Sequence, residues 1–140
     1  MDREELLSFL RKFLGAHKYG VISTIGPDGE PQSALVGIAV TPELEIVFDT
    51  VKTSRKYPNL MADPRIAIVI GWEGEQTVQY EGISVEPIDE ELARAKQAYF
   101  ITWPDGIERQ LWPGIAYFLV QPKWLRYSDF DTGRIEEVCW

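Results

Sequence analysis

From Thr50 to Leu60 the chain sets three cations, Lys52, Arg55 and Lys56, among the hydroxyls of Thr50, Thr53 and Ser54. The formal net charge of the whole chain is −8, so this densest basic cluster runs against the composition. It falls where a strand gives way to a helix, and cations in a first helical turn oppose the helix macrodipole. A bound anion would compensate them, and backbone N–H groups beside Ser and Thr hydroxyls suit a phosphate. The competing reading is a solvated turn whose cations pair with Asp49 and Asp63, because exposed ion pairs are common and contribute little. Ser54 or Thr53 is also placed to cap the helix that follows.

Other reactive groups are sparse. Cys139 is the single cysteine and His17 the single histidine, which excludes an intrachain disulfide and a multi-cysteine metal site and makes metal catalysis unexpected. His17 follows a helix end and reads as structural. Asp49 and Glu81 are isolated carboxylates with no partner for acid–base work, and Asp49 is expected to orient Lys52 or Arg55. The acidic balance disfavours nucleic acid and anionic membrane surfaces. No apolar run approaches the roughly 18 residues of a membrane span, and the N-terminal stretch reads as a charged amphipathic helix instead of a signal peptide. A cytoplasmic protein with a small-molecule or protein partner is the expectation.

The elements that must position the basic cluster can be read from periodicity. A length of 140 residues with 45% hydrophobic content fits one domain over residues 1–140. Asp2 and Glu5 form a capping box ahead of Leu6, Leu7, Leu10, Phe13 and Leu14 at helical spacing, closed by Gly15. Lys18 to Ile25, a turn at Gly26-Pro27-Asp28-Gly29, and Gln32 to Val40 make a β-hairpin. Leu44 to Thr50 is a third strand that ends at the basic cluster. Pro58 and the pair Asp63-Pro64 bracket a short helix. Arg65 to Trp72 reads as a strand buried on both faces, and Gln76 to Glu86 as another long strand. Asp89 is expected to cap a longer helix with Leu92, Ala95, Tyr99 and Phe100 inward, stopped at Trp103-Pro104-Asp105-Gly106. Trp103 and Trp112 flank a loop that could wall a substrate cleft. Ile115 to Tyr127 is one strand broken at Pro122 or two strands, and the tail from Ser128 shows no period. The expected fold is mainly β (α+β), a six- to seven-stranded antiparallel split barrel with an N-terminal helix, a short helix after the third strand and one longer helix.

The segment Phe48-Asp49-Thr50 … Thr53-Ser54-Arg55-Lys56-Tyr57-Pro58-Asn59-Leu60 … Asp63-Pro64-Arg65, in this order of elements, resembles the pyridoxamine 5′-phosphate oxidase-like split-barrel flavoproteins. The similarity runs from about Tyr19 to Tyr127. It implies a homodimer with flavin mononucleotide (FMN) in grooves at the subunit interface. Arg55 and Lys56 would bind the flavin phosphate with Ser54 and Thr50 as donors, and Asp49 and Lys52 are expected in the same cofactor site. Ser33, Ala34, Leu35 and Val36 would run beside the isoalloxazine ring, and Gln76 or Thr77 would present a polar side chain to it. The chain departs from the true oxidase, which begins its second strand with arginine and ends the motif with lysine, where this chain has Gln32 and Gly37. The tail Asp129-Phe130-Asp131-Thr132-Gly133-Arg134 lacks the oxidase's Arg-x-His. The implied function is an FMN-dependent oxidoreductase of the small, general-stress-protein-like branch, acting on a small organic substrate with a nicotinamide electron donor, and not on pyridoxamine phosphate. Alternatives are a deazaflavin coenzyme on the same basic patch, or a non-catalytic flavin- or haem-binding or sensing protein.

Overall fold

Apolar alternation along this chain becomes an eight-stranded antiparallel sheet flanked by four helices in the computed structural model, which describes residues 1–140. Helix α1 (Arg3–Gly15) leads into the hairpin β1 (Tyr19–Ile25) and β2 (Pro31–Gly37), then the two-residue β3 (Ala39–Val40) and β4 (Ile46–Val51). Next come α2 (Lys56–Ala62), β5 (Arg65–Ile70), β6 (Gln76–Val85), α3 (Asp89–Thr102), the one-turn α4 (Gly106–Arg109), β7 (Ile115–Asp129) and β8 (Arg134–Cys139). The fold is mainly β, a split barrel. No helix is long and apolar enough to cross a membrane.

The strand order is β2-β1-β5-β6-β7-β4-β3, with β8 added beside β7. Only Ile38 separates β2 from β3, so the two ends of the sheet belong to one stretch of chain. Its first part pairs with β1, from Ile25↔Pro31 to Tyr19↔Gly37, and its second with β4, through Ala39↔Val47 and Val40↔Ile46. The barrel therefore closes at β3 and stays open between β2 and the rest of β4. Hydrogen bonds from Gly26 N–H to the Glu30 carbonyl and from Ile38 N–H to the Lys18 carbonyl fix the phase of the hairpin. In that phase Val36, Ala34 and Gln32 exchange bonds with β1, so the backbone groups of Ser33, Leu35 and Gly37 point off the open edge.

Inside the barrel, Ile22, Ile38, Ile46, Phe48, Ile68, Ile70, Val78, Phe118 and Val120 pack together, and Leu6, Leu7, Leu10 and Leu14 of α1 join the same core. Tyr80 lies within it and donates its hydroxyl to the carbonyls of Leu44 (2.8 Å) and Val120 (3.2 Å), so its polar atom is satisfied. On the outer face, Ala95 and Tyr99 of α3 cover Ala39, Val47, Tyr117 and Leu119. This second layer explains why β7 is buried without a break from Ala116 to Val120.

Several expectations change. The second strand breaks at Ile38 because it must serve two neighbours. β5 is buried on one face only: Arg65, Ala67 and Val69 point outward and Trp72, beyond the strand, is 51% exposed. β7 runs through Pro122 unbroken, because Glu81 pairs with Trp124 and Gly82 with Pro122, leaving Lys123 as a bulge that absorbs the missing donor. The tail forms β8 against Trp124–Asp129, with only Val138 fully inward, too sparse a pattern to read. Asp89 opens α3 with φ 52° and makes no side-chain cap, and the 104–113 loop contains α4.

Gly82 admits no side chain, since a Cβ there would lie 2.5 Å from the Gln121 carbonyl oxygen and 2.7 Å from Val120 Cγ1. Gly82→Ala is expected to lower unfolding free energy by about 1–3 kcal/mol in a urea titration. An unchanged midpoint would contradict the bulge geometry.

Candidate functional site

β4 delivers Thr50 into the barrel wall, and the turn after Val51 is held by a 2.9 Å bond between the Thr50 and Ser54 hydroxyls and by the Ser54 N–H to the Val51 carbonyl. Neither Ser54 nor Thr53 caps α2: Arg55 occupies the cap position in helical conformation with no side-chain bond. The helix is fastened instead by Asn59, 5% exposed, whose amide donates to Thr24 Oγ1 (3.0 Å) and Gln32 Oε1 (2.8 Å). That clamp brings α2 against the β1–β2 hairpin. The result is a cleft of about 80 Å³ lined by Ile22, Thr24, Gln32, Ser33, Ala34, Arg55 and Lys56, beside the open edge of β2.

Charge in the cleft is unbalanced. Asp63 holds Arg65 in a fork at 2.7 and 3.0 Å, and the guanidinium keeps its carboxyl near a pKa of about 2. Asp49 was expected to orient Lys52 or Arg55, but strand alternation puts it on the outer face with Val47, opposite Phe48 and Thr50. There it accepts from Arg109 Nε (2.9 Å) and from the Tyr99 hydroxyl (3.1 Å), while Arg109 also reaches Asp105 (2.9 Å). Both acids proposed as partners are thus committed elsewhere, and Lys52, Arg55 and Lys56 form no ion pair. Burial lowers the Lys56 pKa below the ordinary lysine value, an effect that Asp49 partly offsets. Lys52 does not line the cleft and lies over the Tyr57 ring at 5.7 Å.

The remaining expected residues divide. Ser33 and Ala34 line the cleft, Leu35 is outward and 61% exposed, and Val36 is buried in the barrel. Gln76 and Thr77 do not reach the cleft within one chain. The cleft lies level with Ser33, whose row runs through Ser23 and Ala67 to Glu81. Gln76 is five residues further along β6, about 16 Å at strand spacing, and accepts from the Tyr127 hydroxyl at 3.0 Å. At Gly37 the indole of Trp103 fills the space a side chain would need. Three contributors had no legible signal: Gln32 and Asn59 as the clamp, and Arg109 as the partner of Asp49 from sixty residues away. Tyr117 beside this network buries its hydroxyl without a partner, and burial raises its pKa.

A curled antiparallel sheet left open at one strand, with unpaired cations at the opening, defines a split-barrel protein with a basic cleft. Residues 6–128 match the family model described as pyridoxamine 5′-phosphate oxidase, and the chain belongs to that family. The pyridoxine/pyridoxamine 5′-phosphate oxidase of Rubrobacter xylanophilus is 34% identical over 93 residues, 66% of this chain and 41% of the relative. The chain spans about half the length of the curated relatives it matches. Among solved structures, a heme binding protein from Mycobacterium smegmatis superposes with a TM-score of 0.86 at 18% identity, over 99% of this chain and 60% of the other. General Stress Protein 26 from Bacillus anthracis gives 0.73 at 19% identity, over 96% and 99%. At these identities the two structures show the shared fold.

The Asp49–Arg109 pair, 14% and 19% exposed, ties α4 to β4 just before the basic turn. Arg109→Met, which keeps the volume and removes the charge, should cost about 2 kcal/mol of stability in chemical denaturation. Asp105→Asn, at the exposed end of the network, should change it by less than about 0.5 kcal/mol. Equal effects of the two substitutions would mean that Asp49 is not the anchor.

Proposed function

We propose that this protein is an FMN-dependent oxidoreductase acting on a small organic substrate, with the flavin phosphate on Arg55 and Lys56. The observation that carries it is the pair of cations left without acids at the open end of a strand edge. Adjacent unpaired cations repel each other and Lys56 is partly desolvated as well, so the spot costs stability by itself. A phosphate dianion removes that cost, and the bonded Thr50–Ser54 hydroxyl pair within one turn has one O–H left to donate to it. The free backbone N–H and C=O groups of Ser33 and Leu35 then run beside the isoalloxazine ring, whose polar rim needs alternating donors and acceptors. Ala34 and the strand backbone fix the ring, and Val36 backs it from the core.

The flavin supplies hydride or electron transfer when bound, and the chain's residues bind, orient and shield it. The absence of a paired acid and base in the cleft fits that division of labour. A nicotinamide is the electron donor we favour. The outward apolar side chains of β1 and β5, Val21, Ala67 and Val69, leave an uncovered strip on the sheet, and a second copy of this chain is its proposed cover. In such a homodimer Gln76 and Thr77 would meet the cofactor of the partner subunit, which accounts for their distance from the cleft of their own chain. One further reading is a non-catalytic carrier on the same scaffold. The heme binding protein that shares the fold supports it, and a purified protein without a reducible flavin spectrum would favour it.

Two tests address the phosphate site. Arg55→Ala with Lys56→Ala should weaken FMN binding, followed by quenching of flavin fluorescence, about a hundredfold while riboflavin loses less than about threefold. Equal losses for both ligands would refute the assignment. In the wild type, the FMN-to-riboflavin affinity ratio should be highest above about pH 6, where a phosphate monoester gains its second charge. It should then fall as pH rises through the lowered pKa of Lys56, because the neutral amine no longer attracts the dianion. The fall should begin below the ordinary lysine value of about 10.4, and a ratio flat to that point would remove Lys56 from the site.

A further inference from the structure

We propose that Thr24 is a further ligand of the bound phosphate and that Asn59 is the residue that aims its hydroxyl. This rests on the flavin reading above, since it takes the cleft beside Arg55 and Lys56 as the phosphate site. At about 80 Å³ the cleft falls well short of the roughly 300 Å³ at which pockets for whole small molecules begin. It has room for one compact group, and the rest of the ligand lies outside it, along the open edge of β2.

Thr24 and Gln32 stand directly opposite each other in the β1–β2 hairpin, and both line the cleft. Asn59 reaches across from α2 and bonds to both through one amide nitrogen, with Nδ2 3.0 Å from Thr24 Oγ1 and 2.8 Å from Gln32 Oε1. An amide –NH2 only donates, so Thr24 Oγ1 is fixed as the acceptor on the side of Asn59. The hydroxyl proton therefore points elsewhere. Thr24 is 3% exposed, and its O–H is donated to no atom of the protein. A buried donor left unused is costly, and an acceptor that enters the cleft removes that cost.

The other polar side chains of the cleft are engaged differently. Gln32 is held at both ends, its Oε1 by Asn59 and its Nε2 on Glu30 Oε1 at 3.1 Å, so it braces the clamp. Ser33 shares its hydroxyl with Ser23 at 2.9 Å. Arg55 and Lys56 supply the charge, and no carboxylate lines the wall. Two cations and one aimed O–H in so small a space select a group that is anionic and accepts on every side, which describes an ionised phosphate ester. Asn59 thus does more than fasten α2. By donating to Thr24 it decides that the cleft is offered a donor and not a lone pair.

The test compares FMN with riboflavin in the intact chain, by quenching of flavin fluorescence. Thr24→Val keeps the shape and removes the O–H, and it should lower the FMN-to-riboflavin affinity ratio about tenfold or more, as expected for a hydrogen bond to a charged group. Thr24→Ser keeps the hydroxyl and should hold the ratio within about threefold of wild type. Asn59→Leu removes the aim and should lower the ratio too, while α2 stays tied by the Tyr57 hydroxyl on Glu86 at 2.8 Å and by Leu60 in the core. Because both residues act through one O–H, Thr24→Val with Asn59→Leu should lower the ratio no further than Thr24→Val alone, whereas separate roles would add. An unchanged ratio in folded Thr24→Val, or in Thr24→Ala where valine prevents folding, overturns the proposal, and so does an equal loss in Thr24→Ser. Additive losses overturn the part given to Asn59. A wild type that binds FMN no more tightly than riboflavin is a separate outcome, which overturns the phosphate site from which the proposal starts.

Discussion

One stretch of backbone, Pro31 to Val40, has to hydrogen-bond to β1 and to β4, and it does so in sequence instead of together. The break at Ile38 is the consequence, and the rest of the molecule is arranged around it. Beyond the break the barrel closes; before it, one edge of β2 has no strand beside it. Unpaired backbone groups are costly when buried and adhesive when exposed, so an open edge inside a fold calls for something to occupy it. Helix α2 covers part of the opening because Asn59 bonds to both strands of the hairpin at once. The opening that remains is bordered by Arg55 and Lys56.

The same arrangement explains how an acidic chain keeps a positive spot. Carboxylates are plentiful, and two of them flank the basic cluster in sequence, yet strand direction and local turns give Asp49 to Arg109 and Asp63 to Arg65. Neutralisation by neighbours is the default on a protein surface, and here geometry prevents it. Burial of Lys56 adds to the imbalance, since a partly desolvated ammonium is held at the expense of stability unless an anion joins it. Asp49 is held at two points, by Tyr99 and by Arg109. It steadies β4 ahead of the basic turn and, through Tyr99, steadies the helix that carries Trp103.

Local periodicity made much of this legible. The apolar stripe of α1, the hairpin with its Gly-Pro-Asp-Gly turn, the short helix bracketed by proline, and the inward face of α3 all follow from residues within a few positions of one another. The position of the basic cluster at a strand-to-helix junction was legible for the same reason. What could not be read depends on pairing across long separations. Gln32 to Val40 is locally one continuous strand, and nothing in it announces that its neighbour changes at Ile38. The bulge that absorbs Pro122 requires the register of β6, and β8 shows too few inward residues to reveal itself. Asp49 looks available to Lys52 and Arg55 until the register of β4 turns it outward, toward an arginine sixty residues away. Ser54 looks like a cap until its hydroxyl turns back to Thr50. In each case the residue types were informative and the face on which they stand was not.

Hydrogen exchange with and without FMN bears most directly on the claim that the open edge of β2 and the basic turn together form the cofactor site. Saturating FMN should slow exchange at the backbone amides of Ser33, Leu35 and Gly37, which point off the edge, and at those of Thr53, Arg55 and Lys56 in the basic turn. The amides of Ala34 and Val36, already bonded to β1, should change little. Alternating protection along β2 is the specific signature of a ligand lying in the split. Unchanged exchange at Ser33 and Leu35 in a saturated complex, with protection confined to another part of the sheet, would contradict it.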